Sequence, residues 1–302
     1  TTDVLELKIN SQGGTIEGAK LLNYPKSKDQ PNDVIELLSP NLKDLGLIQT
    51  GLRSLKGAPE PNPLATYFSD SKNYELINQA ELIVPLYWTD DNGITLEKQF
   101  RLSKGSYRVD IEHRLTNNTN QDWRGASYSQ ITRRVASKDR SMFDVESFSF
   151  DGPIIFNGDK SEKIDPSDLN DDGPTEFVSP NGWIGSIQHH FLSAIVPEKE
   201  IEQRYQVSAN NARVISNMIG PTEIVYPNQT KAFSTTAYIG PKLQAQMNAI
   251  DPKLRLSVDY GILTVLSQPL FWLLSFVYSF VQNWGLAIIS VTAIIKLLFY
   301  KL

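Results

Sequence analysis

From Tyr260 to Ile295 the chain runs for 36 residues without a charged side chain, and then it meets Lys296. That run constrains the molecule most, because so long an uncharged and mostly apolar stretch has no place as a soluble tail. It also divides the chain. After Asp259 there is no acidic residue, and the bases are Lys296 and Lys301. The 259 residues before it carry 27 Lys and Arg against 34 Asp and Glu, a net charge of −7. An acidic body lacks the basic footprint that phosphate backbones require, so no nucleic-acid partner is expected.

The uncharged run does not read as one helix. Pro269 interrupts it, and Gln282-Asn283-Trp284-Gly285 interrupts it again. The first piece, Leu270 to Val281, has 12 residues, which reach ~18 Å as a helix against a hydrocarbon core of ~30 Å. Trp272, Tyr278 and Trp284 suit the headgroup level, and Ser275 and Ser279 mark a narrow polar edge. Residues 259–283 are therefore expected to form an interfacial amphipathic helix. The second piece, Trp284 to Tyr300, has 17 residues, or ~25 Å, the lower limit for a spanning helix. Residues 284–302 are expected to begin a transmembrane helix. Positive-inside reasoning puts its Lys301 end in the cytoplasm and the acidic body outside.

The body reads as β. VLELKIN (4–10), LIVPLYW (82–88), ITLEKQFRL (94–102) and YRVDIEHRL (107–115) alternate apolar and polar residues or are rich in strand formers. ASYSQIT (126–132), WIGSIQHHFLSAIV (183–196), ARVISNMI (212–219) and KAFSTTAYI (231–239) are further strand candidates. QGG (12–14), DDNG (90–93), TNNTNQD (116–122) and YPNQ (226–229) supply turn chemistry between strands. Residues 54–70 and the acidic stretch 158–176 read as loops. Many strands without a long helical pattern between them indicate one large antiparallel sandwich over residues 1–240. Residues 241–258 form a helical linker, with Leu243, Met247 and Ile250 at helical spacing before Pro252. Cysteine is absent, so no disulfide or thiolate-bound metal holds this fold. The start TTDVLELKIN, without Met or a leader-like stretch, and the end in mid-pattern at Leu302 suggest a piece of a longer protein.

Few constellations point to chemistry. Lys296 has two readings. It is a snorkelling lysine near a helix end, or a charge facing a wet intramembrane cavity. In a strand, His189 and His190 would point to opposite faces and could not share a site; His113 lies on another strand. Asp168, Asn170, Asp172 and Gly173 imitate the start of a calcium loop, but the twelfth position is Ser179 rather than Glu. A solvated acidic loop is the plainer reading. No GxSxG, Walker or GxGxxG pattern is present, and no cofactor or metal is expected.

Taken together, several stretches resemble a known family. VDYGILTVLSQPLFWLL (258–274) followed by NWGLAIISVTAIIKLLFY (283–300) resembles the bacterial membrane protein insertase family YidC. GGTIEGAKLLNYP (13–25), NGWIGSIQHHFLSAIVP (181–197) and YIGPKLQ (238–244) resemble the periplasmic domain of its Gram-negative members. The resemblance implies a β-supersandwich similar to galactose mutarotase, a surface helix, and an entry helix whose single base faces a hydrophilic groove. Lys296 occupies that position, where relatives generally carry Arg. It implies a non-enzymatic insertase in the inner membrane with its β domain in the periplasm. It further implies nascent membrane proteins, lipid and the Sec translocon with its accessory subunits as partners. The alternative is a membrane-anchored, mutarotase-like domain that binds or acts on sugars, which requires His and acidic side chains converging in one cleft.

Overall fold

The computed structural model describes residues 1–55, 60–135, 150–258, 264–298 and Tyr300, with residues 264–268 described by their backbone alone. Lys301, read above as the cytoplasmic end, lies outside the described residues. The chain divides into two compact units, Thr1–Ser257 and Val258–Leu302.

In the first unit, the described strands form two antiparallel sheets. Along one sheet lie β1 (Leu5–Asn10), β2 (Thr15–Ser27), β4 (Gly46–Ser54), β8 (Trp123–Arg134), β15 (Arg213–Ile219), β14 (Gln203–Asn210) and β11 (Thr175–Ser179). β3 (Gln30–Leu38) pairs with β2, and β16 (Glu223–Val225) pairs with β8. The other sheet runs β10 (Ser161–Lys163), β9 (Asp151–Phe156), β12 (Trp183–Gln188), β13 (Phe191–Pro197), β17 (Gln229–Pro241), β7 (Arg108–Asn117), β6 (Ile94–Ser103) and β5 (Glu81–Thr89). The alternation in β6 drives this arrangement. Ile94, Leu96, Phe100 and Leu102 are all buried on one face, as are Val109, Ile111 and Leu115 of β7. Each such side chain contributes roughly 1.5–3 kcal/mol by leaving water.

The turns behave as their residues require. In the QGG turn, Gly13 and Gly14 both have positive φ, +72° and +54°, which L-residues with a Cβ adopt reluctantly. In DDNG, Asp90 Oδ1 accepts from the backbone N–H of Asn92, Gly93 and Ile94 at 2.6–3.1 Å, so one carboxylate organises the hairpin. Pro85 sits on end strand β5, where its carbonyl accepts from Ser69 Oγ at 3.1 Å. Proline is tolerated there because an outer strand can do without one N–H.

Three expectations need correction. WIGSIQHHFLSAIV is two strands, β12 and β13, paired as a hairpin whose turn is His189-His190. His189 takes φ +48°, and its N–H donates to Asp151 Oδ1 at 2.8 Å. The acidic stretch 158–176 carries β10 and a short helix, α1 (Pro166–Asp171), with Asp165 as N-cap accepting from Ser167 N–H. In the linker, α2 (Gln244–Ile250) and a 3-10 turn (Leu254–Ser257) bury Met247 and Leu254, whereas Leu243 is exposed.

The second unit holds α3 (Thr264–Val281) and α4 (Trp284–Leu298). α3 is longer than the 12 residues expected, because the helix runs through Pro269 instead of starting after it. A proline this near the N-terminus forfeits one bond to the carbonyl four residues back, a cost the rest of an 18-residue helix outweighs. The second break lies where the sequence indicates. Gln282 turns the chain at φ +53°, and Asn283 Oδ1 caps α4 by accepting from Leu286 N–H at 3.2 Å. α4 has 15 residues, ~22 Å, and among the described residues no helix is long and apolar enough to cross a membrane.

Candidate functional site

The apolar inner face of the second sheet contains an interruption that sequence reasoning missed. Lys98 falls in phase with Leu96 and Phe100 and is fully buried. Its ammonium donates to the carbonyls of Gly13 (3.1 Å), Gly14 (2.8 Å) and Thr50 (2.8 Å). The Phe100 and Tyr67 rings lie 5.3 and 5.8 Å from Nζ. Three donors thus meet three acceptors, and the side chain ties β6 of one sheet to β4 and the β1–β2 turn of the other. Burial pushes its pKa down to about 7.

Directly opposite Lys98 in the β6–β7 register stands His113, also buried. Its Nε2 lies 3.3 Å from Thr50 Oγ1. Burial, and secondarily the Lys98 charge, hold the imidazole down to about 3, so it is neutral at physiological pH. This pair is sealed inside the sandwich and has no substrate-facing surface. His113 meets a lysine and a threonine there instead of the carboxylate that sugar chemistry would require.

The other sequence candidates fall elsewhere. The rings of His189 and His190 meet edge-on, with centroids 3.7 Å apart, so the opposite-faces argument fails because a turn, not a strand, carries them. Among the described residues, no group of three or more His, Cys, Asp or Glu side chains is placed to hold a metal. Asn170 of the calcium-like stretch is engaged structurally: its amide donates to Pro166 O and Asn211 O, and its Oδ1 accepts from Asn211 N–H.

In the helical unit, Trp272, Phe276 and Phe280 form an exposed ladder at four-residue spacing along α3, with centroid separations of 5.7 and 5.1 Å. Tyr278 stacks on Trp284 across the α3–α4 break at 3.9 Å. Ala287 and Val291 are the buried residues of α4. Lys296 is exposed in its last turn, ~18 Å along the axis from Trp284 and about 180° around the helix from Ala287. One turn before it, Thr292 bonds its hydroxyl back to the Ile288 carbonyl at 2.7 Å. The structure therefore brings Tyr278 and Trp284 together and leaves Lys296 at the far end of the same helix.

Comparison with known proteins identifies this combination. The family model described as the YidC periplasmic domain matches residues 1–273. A protein of Nitrosococcus oceani named membrane protein insertase YidC is 36% identical over 304 residues, covering 100% of this chain and 55% of the relative. One of Methylococcus capsulatus with the same name is 37% identical over 308 residues, again covering 100% and 55%. The chain thus spans about half the length of the curated relatives it matches. A galactose mutarotase-like protein from Lactobacillus casei superimposes with a TM-score of 0.53 at 10% identity, covering 79% of this chain and 98% of that one. At that identity the likeness is one of fold alone, and the fold is the mutarotase-like supersandwich. With the family model matched over residues 1–273 and relatives 36–37% identical over the whole chain, the chain belongs to the YidC family and carries its periplasmic domain.

Proposed function

We propose that the chain is part of a membrane protein insertase and chaperone that helps inner-membrane proteins insert and fold, alone or with the Sec translocon. The observation that carries this reading is the match of the entire chain, from Thr1 through the Lys296 helix, to proteins named membrane protein insertase YidC. The β domain lies in the periplasm. α3 lies at the outer surface of the membrane, with Trp272, Tyr278 and Trp284 at headgroup level. α4 begins a transmembrane helix, a reading supported by its uncharged, mostly apolar sequence from Trp284 to Ile295.

The mechanism is physical. A nascent segment arrives with a polar or acidic flank that must cross, and an isolated charge at mid-bilayer costs roughly 2.5–3.5 kcal/mol on insertion scales. A water-filled groove shortens the dehydrated path, Lys296 offsets charge on the passenger, and the apolar segment then moves sideways into lipid. Lys in place of Arg retains the charge but not the planar fork of donors, so the role assigned to Lys296 is electrostatic attraction and not bidentate capture. The β sandwich supplies partner contacts, including Sec accessory subunits.

The test is depletion of the full-length protein in its own host, with a small two-span membrane protein labelled and its periplasmic loop probed by external protease. Loss of protease access on depletion, restored by the wild-type gene, is the expected result. Unchanged access for several such substrates would overturn the proposal.

A further inference from the structure

We propose that the open side of the sandwich is a binding site for a single-chain fatty acid, with its hydrocarbon between β1 and β5 and its carboxylate at Lys72. β1 and β5 are the end strands of their respective sheets, and a cavity of about 390 Å³ opens between them, within the ~300–1,000 Å³ range of ligand sites. Half of its lining is aliphatic, Leu7 and Ile9 of β1, Leu82, Val84 and Leu86 of β5, and Leu102 of β6, and half is polar, Thr1, Ser11, Ser69, Ser71, Lys72 and Tyr74. One end is closed. The segment before Ser69 crosses from sheet to sheet, with Gly13 N–H bonded to Ala65 O (2.7 Å), Tyr67 N–H to Ser11 O (2.8 Å), and Phe68 and Tyr87 exchanging both backbone bonds at 2.8 Å.

Four of the polar lining residues, Ser69, Ser71, Lys72 and Tyr74, belong to one loop. Tyr74 O–H reaches Ser69 Oγ at 2.8 Å, and Ser69 in turn donates to Pro85 O at 3.1 Å. The Ser71 N–H donates to the Tyr74 hydroxyl at 3.2 Å. This ring of hydroxyls is fixed before any ligand arrives. Lys72 stands exposed beside it, with no ion-pair partner among the described residues. In a body of net negative charge, an unpaired ammonium beside a cavity with an aliphatic half matches one kind of ligand: a hydrocarbon chain with an anionic head. A phospholipid brings two chains to a cavity with room for one.

The experiment uses the full-length protein in lipid nanodiscs and a long-chain fatty acid bearing a mid-chain diazirine, with the photolabelled sites mapped by peptide mass spectrometry. Label is expected in the peptides holding Leu7–Ile9 and Leu82–Leu86, and unlabelled fatty acid is expected to displace it. Lys72→Glu, an exposed change that leaves the fold intact, should weaken labelling about threefold or more, the scale of an exposed ion pair. Ile9→Trp, which narrows the cavity beside β1, should weaken it about tenfold, equivalent to ~1.4 kcal/mol. Label confined to other segments, or undiminished in both variants, would overturn the proposal. So would displacement by an extended apolar peptide or by phosphatidylglycerol vesicles but not by the free fatty acid.

Discussion

Replacing Lys98 by methionine tests the internal architecture most sharply. Methionine keeps the unbranched stem and nearly the same volume, so packing against Phe100 and Tyr67 survives while all three donors are lost. The carbonyls of Gly13, Gly14 and Thr50 then lie buried without this partner, at ~1–3 kcal/mol each. Against that stands relief from keeping an ammonium fully buried, itself worth several kcal/mol. The balance is a net loss of ~2–4 kcal/mol, similar to other cases in which one side of a buried charged contact is removed. Urea unfolding of Thr1–Ser257, followed by emission of the buried Trp123 and Trp183, should show a midpoint lower by ~1 M for a slope near ~3 kcal/mol/M. The pH dependence carries a second signature. The folded pKa is depressed to about 7, below the ~10.4 of an unfolded lysine. Between those values the unfolded chain binds more protons, so wild-type stability rises with pH through that window by up to ~1.4 kcal/mol per unit. The variant lacks this contribution, so the gap between wild type and Lys98→Met should widen above pH 7. Equal midpoints and a gap independent of pH would refute the idea that the buried Lys98 side chain ties the sheets together.

Three further changes follow from the same structure. Gly13→Ala places a Cβ within 2.6 Å of Pro63 O at a φ of +72°, and should destabilise by ~1–3 kcal/mol in the same unfolding assay. Asn117 is fully buried; its amide donates to Gln121 O and Val225 O while its Oδ1 accepts from Thr119. Asn117→Ala should therefore cost ~2–4 kcal/mol, read as a drop in melting temperature. Ser186 and Ser193 face each other across the β12–β13 pair with buried hydroxyls that have no partner among the described residues. Changing both to alanine should be neutral or stabilising by ~1 kcal/mol, in contrast to the other two.

The sandwich was legible wherever one face of a strand is buried and the other is wet. ITLEKQFRL and YRVDIEHRL announce β6 and β7 by alternation, because water on the outer face forces polar residues into every second position. Strands β9, β12 and β13 are buried on both faces over most of their length, so alternation disappears. The hairpin at His189-His190 carries no Gly, Asn or Asp to mark it, and β12 and β13 read as one strand. Lys98 could have been found. It stands in the inward phase of Ile94, Leu96, Phe100 and Leu102, and a lysine in that phase must bring its own acceptors inside. What could not be read was their identity, since Gly13, Gly14 and Thr50 come from distant parts of the chain. The start of α3 was misjudged because Pro269 was given the weight of a helix end when its cost is one hydrogen bond. For Lys296, cost alone leaves snorkelling and groove charge open; the resemblance in 258–300 tips the reading toward the groove.

The most direct test of the central claim is insertion by the purified full-length protein in liposomes. A two-span substrate with an acidic translocated loop would be synthesised in its presence, and the loop's protection from external protease measured for wild type, Lys296→Arg and Lys296→Leu. An electrostatic role for Lys296 requires protection with wild type and Arg and a loss of about tenfold or more with Leu, equivalent to ~1.4 kcal/mol or more. Equal protection by all three would contradict it and leave Lys296 as a snorkelling residue at the end of its helix.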